Sequence, residues 1–546
     1  MAAVVEFHAK NLDPNSEQNV MLNALNHRTI IEKVLLKNVK PDIIVFPETG
    51  LNDFSVEKPV STIIPSPSEN STPCPRESAH DTSSNLLETL SCTARMYKLY
   101  MVVNMLEKYI ENDKTYFYNT NVAFNREGTI VGRYRKHNLY SKQSALTKPP
   151  SPEFSYFDTD FGVRFGMFTC FDIVFKTPAL DLIKNYNISH FVFPTHWYSE
   201  MPFLTAIQAQ YSWAASNDVV LLASGLNCPE TGSTGSGVYI GADNSPTSYV
   251  QTATPSDIVI VRKVPKNLSH GVNDPGRVIY ENILHPTTTL NMKSDKGVPS
   301  FKSELIDENK DLNCDSSTCR SSLSVESKTI CQRDLCCHFS YTLESFYDSV
   351  NTSQQSLVQS GDDFGHNYYR LFAFDGVKDY DGRARGRLQI CAVLSCTDKY
   401  QNIDSCGNPT YNKQRLNITF NGATYVKSGS RFKDLKISVL LSDNDTSIMP
   451  NVLFSRNPEN LISFGSLGAR NSFSFHRNSN ESGMIKTVLK TSQSNDSTTD
   501  NIGVFAIYAR IFEDSNFSNK AVPILSGYFI LLMPVICCID TYVGMS

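Results

Sequence analysis

A cysteine at the end of an apolar run is the residue in this sequence best placed to do chemistry. Cys170 follows the segment Val-Arg-Phe-Gly-Met-Phe-Thr at 163–169, which predicts a buried strand. Ligands and reactive groups in open α/β sheets gather at the carboxyl ends of strands. A thiol there could act as a nucleophile, because a cysteine beside a cation or a helix start loses its proton easily. A lone cysteine after an apolar run is more often a packing residue, so this interpretation needs further side chains.

A glutamate and a lysine in two other segments could complete an acid–base set with this thiol. Glu48 stands just beyond the apolar strand segment at 43–46. A glutamate is costly to bury unpaired, so a buried Glu48 needs a cation nearby and would then suit a general base. Lys136 lies in a basic run at 133–137, and the Asn-Leu-Tyr segment at 138–140 favours inward packing. The ordinary alternatives are a solvated loop glutamate and a solvated basic turn.

Strands and helices alternate around these three side chains, which is typical of an α/β domain. A hairpin around the Asn-Arg-Glu-Gly segment at 125–128 leads into the basic run. The apolar spacing predicts helices at 18–38, 85–97, 179–185 and 204–216, and strands at 43–46, 99–104, 163–169, 190–193 and 219–223.

The second half of the chain has a different pattern, because helical periodicity fades and short strands dominate from about residue 305. It contains no acid–base set and is interpreted as a structural or shielding domain. The predicted organisation is a catalytic domain at 1–285, a linker at 286–304, a β-rich domain at 305–515 and an apolar tail at 516–546.

Cysteines are concentrated in the predicted β-rich domain, where eight of the fourteen lie between Cys314 and Cys406. This density is typical of a disulfide-stapled extracellular module. A zinc site ranks lower, because Cys-x2-Cys pairs are missing and adjacent cysteines are awkward metal ligands. Without Cys170 and the two cysteines of the tail, eleven remain, so at least one thiol must stay outside intramolecular bridges. Cys74 and Cys92 could close the long polar loop at 52–83.

Composition and charge exclude several classes of partner. The 546 residues have a formal charge of 50 − 55 = −5 and lack a Lys/Arg run that would follow a phosphate backbone, so nucleic acid is not expected as a partner. The glycine-rich segment at 231–237 lacks a following Lys-Ser/Thr and the spacing of a dinucleotide site, and we interpret it as a loop that lines a pocket. No cofactor and no metal is predicted.

The two ends of the chain bear on its location. Residues 1–7 predict a first strand directly, without the basic and apolar regions of a secretory signal peptide, so either the chain is cytosolic or its leader lies outside this sequence. The segment at 521–539 is almost wholly apolar and follows a polar spacer, which favours a glycolipid-anchor signal. A single membrane span and a buried helix are the alternatives.

Three fragments stand together in order: Phe46-Pro47-Glu48-Thr49-Gly50, Tyr134-Arg135-Lys136-His137-Asn138-Leu139-Tyr140 and Phe168-Thr169-Cys170-Phe171-Asp172-Ile173. Together they resemble the carbon-nitrogen hydrolase (nitrilase) superfamily, whose Glu-Lys-Cys set occurs in this order. The Phe-Pro-Thr-His-Trp segment at 193–197, the Thr-Gly-Ser-Gly segment at 234–237 and the cysteines at 331, 336 and 337 resemble its vanin and biotinidase branch.

The resemblance implies a four-layer α-β-β-α sandwich followed by a smaller β-rich, cysteine-dense base domain. It implies that Cys170 is the nucleophile, Glu48 the general base and Lys136 the cation that faces the tetrahedral intermediate. The backbone N–H of Phe171 would share the oxyanion with Lys136. His196, as a packing or hydrogen-bonding residue, and Trp197 are expected at the pocket.

The implied activity is hydrolysis of a linear secondary amide through a cysteine thioester, at the cell surface or outside the cell. Pantetheine is the favoured small-molecule substrate and a biotin amide is the alternative. A different class also stays open, namely a non-catalytic glycosylated surface protein that keeps the fold as a binding module. The nine Asn-x-Ser/Thr sequons permit secretion, but their number is near chance in a chain this rich in Asn, Ser and Thr. Many superfamily members carry a second glutamate shortly after the lysine motif. Here Ser141-Lys142-Gln143 follows instead, which leaves a fourth catalytic contributor open.

Overall fold

The fold is known from a computed structural model. It describes residues 1–10, 16–54, 60–75, 85–140, 143, 146–241, 248–269, 274, 276–284, 290–306, 313–315, 318–349, 368–382, 384–397, 403–407, 417–420, 423–442, 445–454, 473–479, 483–491 and 502–512. The predicted tail at 516–546 lies outside these ranges, and so do residues 286–289 of the predicted linker and five of the nine sequons.

The first half of the chain contains four helices and the first fifteen strands. The helices are α1 (Glu17–Leu36), α2 (Leu86–Tyr97), α3 (Ala179–Tyr186) and α4 (Ala206–Asn217). The strands are β1 (Ala2–Glu6), β2 (Ile43–Val45), β3 (Tyr100–Glu111), β4 (Lys114–Phe124), β5 (Ile130–Arg135), β6 (Tyr156–Asp158), β7 (Arg164–Met167), β8 (His190–Thr195), β9 (Glu200–Met201), β10 (Val220–Gly225), β11 (Ser236–Ile240), β12 (Ser248–Val250), β13 (Ser256–Arg262), β14 (Arg277–Ile283) and β15 (Lys293–Ser294).

Thirteen of these strands form two sheets that pack face to face, and β9 and β15 pair in a separate two-stranded sheet. The first has the order β14-β13-β1-β2-β3-β4-β5 and the second has the order β12-β11-β10-β8-β7-β6. The central strands are parallel, with β1, β2 and β3 adjacent in one sheet and β7, β8 and β10 adjacent in the other. Strands β1 and β2 contact β10 and β8 across the sandwich.

Side-chain alternation explains why the sheets are covered on both faces. Ala3 and Val5 of β1 belong to the apolar cluster formed with α1 and α2, whereas Ala2 and Val4 point to the cluster between the sheets. The second sheet is covered by α3 and α4. The result is the predicted α-β-β-α sandwich. Ser16 caps α1 by accepting hydrogen bonds from two backbone N–H groups, and Asn85 caps α2 in the same way.

The second half of the chain is all-β in its described residues apart from short 3-10 turns. Its strands are β16 (Lys302–Leu305), β17 (Asn313–Cys314), β18 (Thr318–Gln332), β19 (Leu335–Ser349), β20 (Tyr368–Tyr380), β21 (Ala384–Cys396), β22 (Asn417–Phe420), β23 (Ala423–Ser442), β24 (Thr446–Phe454), β25 (Phe473–Ser479), β26 (Met484–Thr491) and β27 (Ile502–Ile511). They form a sheet of order β16-β20-β21-β27-β24 and a sheet of order β17-β18-β19-β23-β26-β25, in which β22 pairs with β23.

Disulfides cross-link this β-rich region. Four bridges join Cys314 to Cys319, Cys331 to Cys336, Cys337 to Cys391 and Cys396 to Cys406. A fifth joins Cys74 to Cys92 in the first half, as the sequence predicted. All eight cysteines between Cys314 and Cys406 are therefore held in disulfides, which leaves none of their thiols for a zinc site. Of the eleven cysteines in the count, Cys228 is the one outside these bridges.

Several strands are longer than the apolar pattern indicates. The strand predicted at 99–104 runs to Glu111, because its polar second half pairs with β4 residue by residue. Strands β18 and β19 are fifteen residues long, and more buried positions alternate with less buried ones along 318–325 of β18 and 335–347 of β19. Serines, threonines and charged residues hide this period in a search for apolar runs. No helix within the described ranges is both long enough and apolar enough to cross a membrane.

Candidate active site

The three predicted residues meet at one edge of the sandwich. Glu48 follows β2, Lys136 follows β5 directly, and Cys170 follows β7 after two residues. All three side chains are buried. The ammonium of Lys136 lies 2.7 Å from the Glu48 carboxylate, with both side chains at most 1% exposed. Segments that are far apart in the chain thus bring a sulfur, a carboxylate and an ammonium to one place.

Hydrogen bonds fix both oxygens of Glu48. Its Oε1 accepts from Lys136 Nζ at 2.7 Å and from Asn119 Nδ2 at 2.7 Å. The same oxygen accepts from Gln143 Nε2 at 2.8 Å. Its Oε2 accepts from the backbone N–H of His196 at 2.9 Å. With donors on both oxygens, the carboxylate is held in one orientation.

A ladder of asparagines on β3 and β4 sets the direction of these donors. Asn104 Nδ2 donates to the side-chain oxygens of Asn119 and Asn121, at 2.6 and 2.9 Å. Because the oxygen of Asn119 accepts there, its amide NH2 points to Glu48. Asn104 Oδ1 accepts from the backbone N–H of Thr49, which fixes the turn after Glu48. This ladder could not be predicted from the sequence, since asparagines at every second residue are typical of an ordinary polar strand face.

Cys170 begins a short 3-10 helix over Cys170–Val174 and has a left-handed backbone, with φ of 47°. This conformation is strained for a side chain other than glycine and is held by its surroundings. Thr169 and Asp172 form a capping box around the first turn. The thiol Sγ donates to the backbone oxygen of His196 at 3.4 Å.

Asp172 joins the cysteine turn to the lysine loop. Its carboxylate accepts from Tyr134 Oη at 2.7 Å and from the backbone N–H of Thr169 at 3.0 Å. It also accepts from the backbone and side-chain amides of Asn138, both at 2.9 Å. Tyr134 and Asn138 flank Lys136 in sequence, so this carboxylate fixes the distance between the lysine and the thiol.

The pKa shifts define the resting protonation states. Burial would raise the pKa of Glu48, but Lys136, Gln143 and His196 outweigh it and keep the pKa below its usual value. Burial would lower the pKa of Lys136, and the facing Glu48 raises it instead. Burial and the negative charge of Glu48 together raise the pKa of Cys170 to about 12. The resting site therefore holds a carboxylate, an ammonium and a neutral thiol, which corrects the expectation that this cysteine loses its proton easily.

A cleft opens above the thiol and has a volume of about 450 Å³ including its mouth. Phe171, His196 and Trp197 line it, as expected from the sequence. The side chain of His196 is hydrogen-bonded through Nδ1 to the hydroxyl of Thr49 at 2.8 Å. Phe171 is the second residue of the 3-10 helix, where a backbone N–H has no partner within the helix.

The β-rich region supplies part of the same cleft. Tyr380 and Asp381, at the turn between β20 and β21, line it together with Tyr140. The Tyr140 hydroxyl donates to the Asp381 carboxylate. Lys293 Nζ donates to Asp381 at 2.6 Å and to the Tyr140 oxygen at 3.0 Å. The Asp-Gly pair at 381–382 is a hairpin signal in the sequence, but the signal does not say what the turn contacts.

The glycine-rich segment at 231–237, which we interpreted as a loop that lines a pocket, contacts a buried carboxylate. Thr234 and Ser236 donate hydroxyl hydrogen bonds to the buried carboxylate of Glu6, each at 2.5 Å. The backbone N–H of Gly235 donates to the same carboxylate. This segment therefore satisfies a buried acid at the end of β1 and does not line the cleft around Cys170. Within the described ranges, no cluster of three His, Cys, Asp or Glu side chains is arranged for a metal ion.

The sandwich and the Glu-Lys-Cys arrangement are those of a carbon–nitrogen hydrolase. The carbon-nitrogen hydrolase family model matches residues 12–202, and the model of the vanin C-terminal domain matches residues 304–515. A solved structure of Saccharomyces cerevisiae Nit3, a member of branch 10 of the nitrilase superfamily, aligns with 46% of this chain and 81% of that chain, at 18% identity and a TM-score of 0.31.

Curated relatives identify the branch. Vanin-like protein 1 of Drosophila melanogaster is 34% identical over 410 residues, which cover 71% of this chain and 68% of that protein. Pantetheinase of Canis lupus familiaris is 31% identical over 429 residues, which cover 74% of this chain and 75% of that protein. The chain belongs to the vanin family of carbon–nitrogen hydrolases. This confirms the resemblance drawn from the three sequence motifs.

Proposed function

We propose that this enzyme hydrolyses pantetheine to pantothenate and cysteamine, with Cys170 as nucleophile, Glu48 as general base and Lys136 as oxyanion partner. The observation that supports these roles is the Glu48 carboxylate, which contacts Lys136 at 2.7 Å and raises the pKa of the neighbouring thiol. The name of the 31% identical relatives, pantetheinase, supports the choice of substrate.

The first half of the reaction forms a thioester. Glu48 takes the thiol proton while Cys170 Sγ attacks the amide carbonyl carbon, because a thiol with a pKa of about 12 needs a base during the attack. The carbonyl oxygen becomes an oxyanion next to Lys136 and the backbone N–H of Phe171. When the tetrahedral intermediate collapses, the C–N bond breaks and the leaving amine takes the proton from Glu48.

The second half regenerates the thiol. Glu48, ionised again, removes a proton from water, and the resulting hydroxide attacks the thioester carbonyl. Collapse breaks the C–S bond, the carboxylic acid leaves, and the proton on Glu48 returns to sulfur. The charge of the site stays constant, because a negative charge on oxygen appears only when the charge on Glu48 has been neutralised. Lys136 thus faces one anion at each stage.

Initial rates on pantetheine and biocytin test this function. We expect release of cysteamine from pantetheine by the wild type and by Cys228→Ala, and none by a folded Cys170→Ala, since Cys228 is the control among the buried thiols. Faster hydrolysis of biocytin would favour the biotin-amide alternative. Absence of turnover on either substrate would favour the non-catalytic binding protein. Turnover by Cys170→Ala would contradict the thioester route.

We also propose an extracellular or cell-surface location. Five disulfides support it, because thiols of cytosolic proteins are kept reduced. A glycolipid anchor formed at the apolar tail is the favoured mode of attachment. Release of the protein from intact cells by a phosphatidylinositol-specific phospholipase C is the expected result, and retention after this treatment would contradict the anchor.

A further inference from the structure

We propose that Gln143 is a positioning residue of the amidase site: its neutral side-chain amide orients Glu48 and Lys136 without adding a second negative charge between them. The proposal rests on the proposed roles of those two residues. Gln143 lies after the lysine motif, at the position where the sequence left a fourth contributor open. Its side chain does not touch the reacting atoms.

The contacts of Gln143 determine which way its amide points. The side chain is 8% exposed. Its Oε1 accepts from Lys136 Nζ at 3.0 Å and from the backbone N–H of Tyr140 at 3.3 Å. An oxygen that accepts from both donors leaves the NH2 group for the other side, where it donates to Glu48 Oε1 at 2.8 Å. One planar amide therefore bridges the ammonium of Lys136 and the carboxylate of Glu48.

The charges around Glu48 explain why a neutral bridge matters. The titratable groups that face Glu48 are Lys136, His196 and Cys170, and Lys136 is also influenced by Asp172. The amide adds a donor to the carboxylate and an acceptor to the ammonium at no change in net charge. A carboxylate at the same place would lie beside Glu48 Oε1, and two carboxylates that share a site do not both ionise at ordinary pH.

Two substitutions of matched size separate charge from contact. Gln143→Glu keeps the acceptor for Lys136 and adds the negative charge, whereas Gln143→Met keeps the approximate volume and removes both hydrogen bonds. We measure kcat/KM against pH for both and for the wild type. The matched control is Gln18→Glu, which adds the same charge on the exposed first turn of α1.

We expect the acid limb of kcat/KM, which reports ionisation of Glu48, to lie lowest in the wild type. In Gln143→Glu it moves upward by about one unit or more, so at pH values below both limbs the rate relative to each protein's own plateau near pH 8 is roughly tenfold lower than in the wild type. In Gln143→Met it moves upward by less, because Glu48 loses one donor and gains no charge.

A uniform loss of rate at every pH in both variants, with the wild-type acid limb retained, would overturn the proposal, because a merely structural role lowers the plateau only. If Gln143→Glu does not fold, the position of the acid limb of Gln143→Met relative to that of the wild type tests the proposal. The rate of Cys170 alkylation by iodoacetamide, measured against pH, reports the same ionisation of Glu48 without any substrate. Peptide mapping distinguishes Cys170 from Cys228. The wild type could thus fail on pantetheine, which would refute the proposed substrate, while the alkylation profiles still test Gln143.

Discussion

Replacing Lys136 by methionine tests the central electrostatic argument. The substitution keeps an unbranched side chain of similar length and removes a charge that lies 2.7 Å from Glu48 in a fully buried pair. Breaking a buried ion pair from one side costs about 3–5 kcal/mol, because the remaining charge is left uncompensated. At roughly 2 °C per kcal/mol for a chain of this size, the thermal midpoint should fall by about 6–10 °C at pH 8. Hydrolysis should fall by about 10²–10³-fold or more, since the oxyanion loses its cation.

The pH dependence gives the sign of the effect. In the wild type the pKa of Glu48 is held below its usual value, so this carboxylate adds stability that is present above the unfolded pKa and is lost as the pH falls through the folded pKa. Without Lys136, burial raises the folded pKa above the unfolded value of about 4.3. The variant's loss of stability should therefore be larger at pH 8 than at pH 5.

A second variant controls for packing. In the double variant of Lys136→Met with Glu48→Gln the charge of Glu48 is removed together with its ammonium partner, so we expect it to melt above the single Lys136→Met variant although it is inactive. Differential scanning fluorimetry of the wild type and these two variants at both pH values gives the comparison. A Lys136→Met protein that is as stable as the wild type at pH 8, or equally destabilised at both pH values, would refute the reasoning.

Three further predictions follow from other parts of the structure. His27 lies between Phe7 and Phe46 and burial lowers its pKa to about 3, so the fold should lose about 3 kcal/mol between pH 6.5 and pH 4, and His27→Phe should flatten this loss in acid-unfolding curves. Replacing Cys74 by serine opens the bridge to Cys92 across 18 residues and should cost about 3 kcal/mol, measured as a lower thermal midpoint. Asp381→Ala removes a wall of the cleft mouth and should raise KM severalfold with kcat nearly unchanged in steady-state assays.

The candidate catalytic side chains could be predicted from the sequence, whereas the residues that hold them in place and complete the cleft could not. Glu48 and Cys170 could be found because each follows an apolar strand, and Lys136 because it lies in a motif with both of them in order. Asn119 could not be found, since its function depends on pairing between strands that no local pattern specifies. Asp381 could not be found either, because its place in the cleft depends on how the β-rich region packs against the catalytic one.

The proposed role of Cys170 as nucleophile requires a reactive thiol to persist in a protein whose described residues contain five disulfides. A thiolate exchanges with disulfides and oxidises readily, and an oxidising compartment favours both reactions. Burial and the facing carboxylate of Glu48 keep Cys170 protonated, with a pKa of about 12. In the proposed mechanism, sulfur becomes nucleophilic only when a substrate carbonyl is in contact with it, because only then does proton transfer to Glu48 accompany formation of a bond. Under that proposal, the same carboxylate protects the thiol at rest and activates it during the reaction.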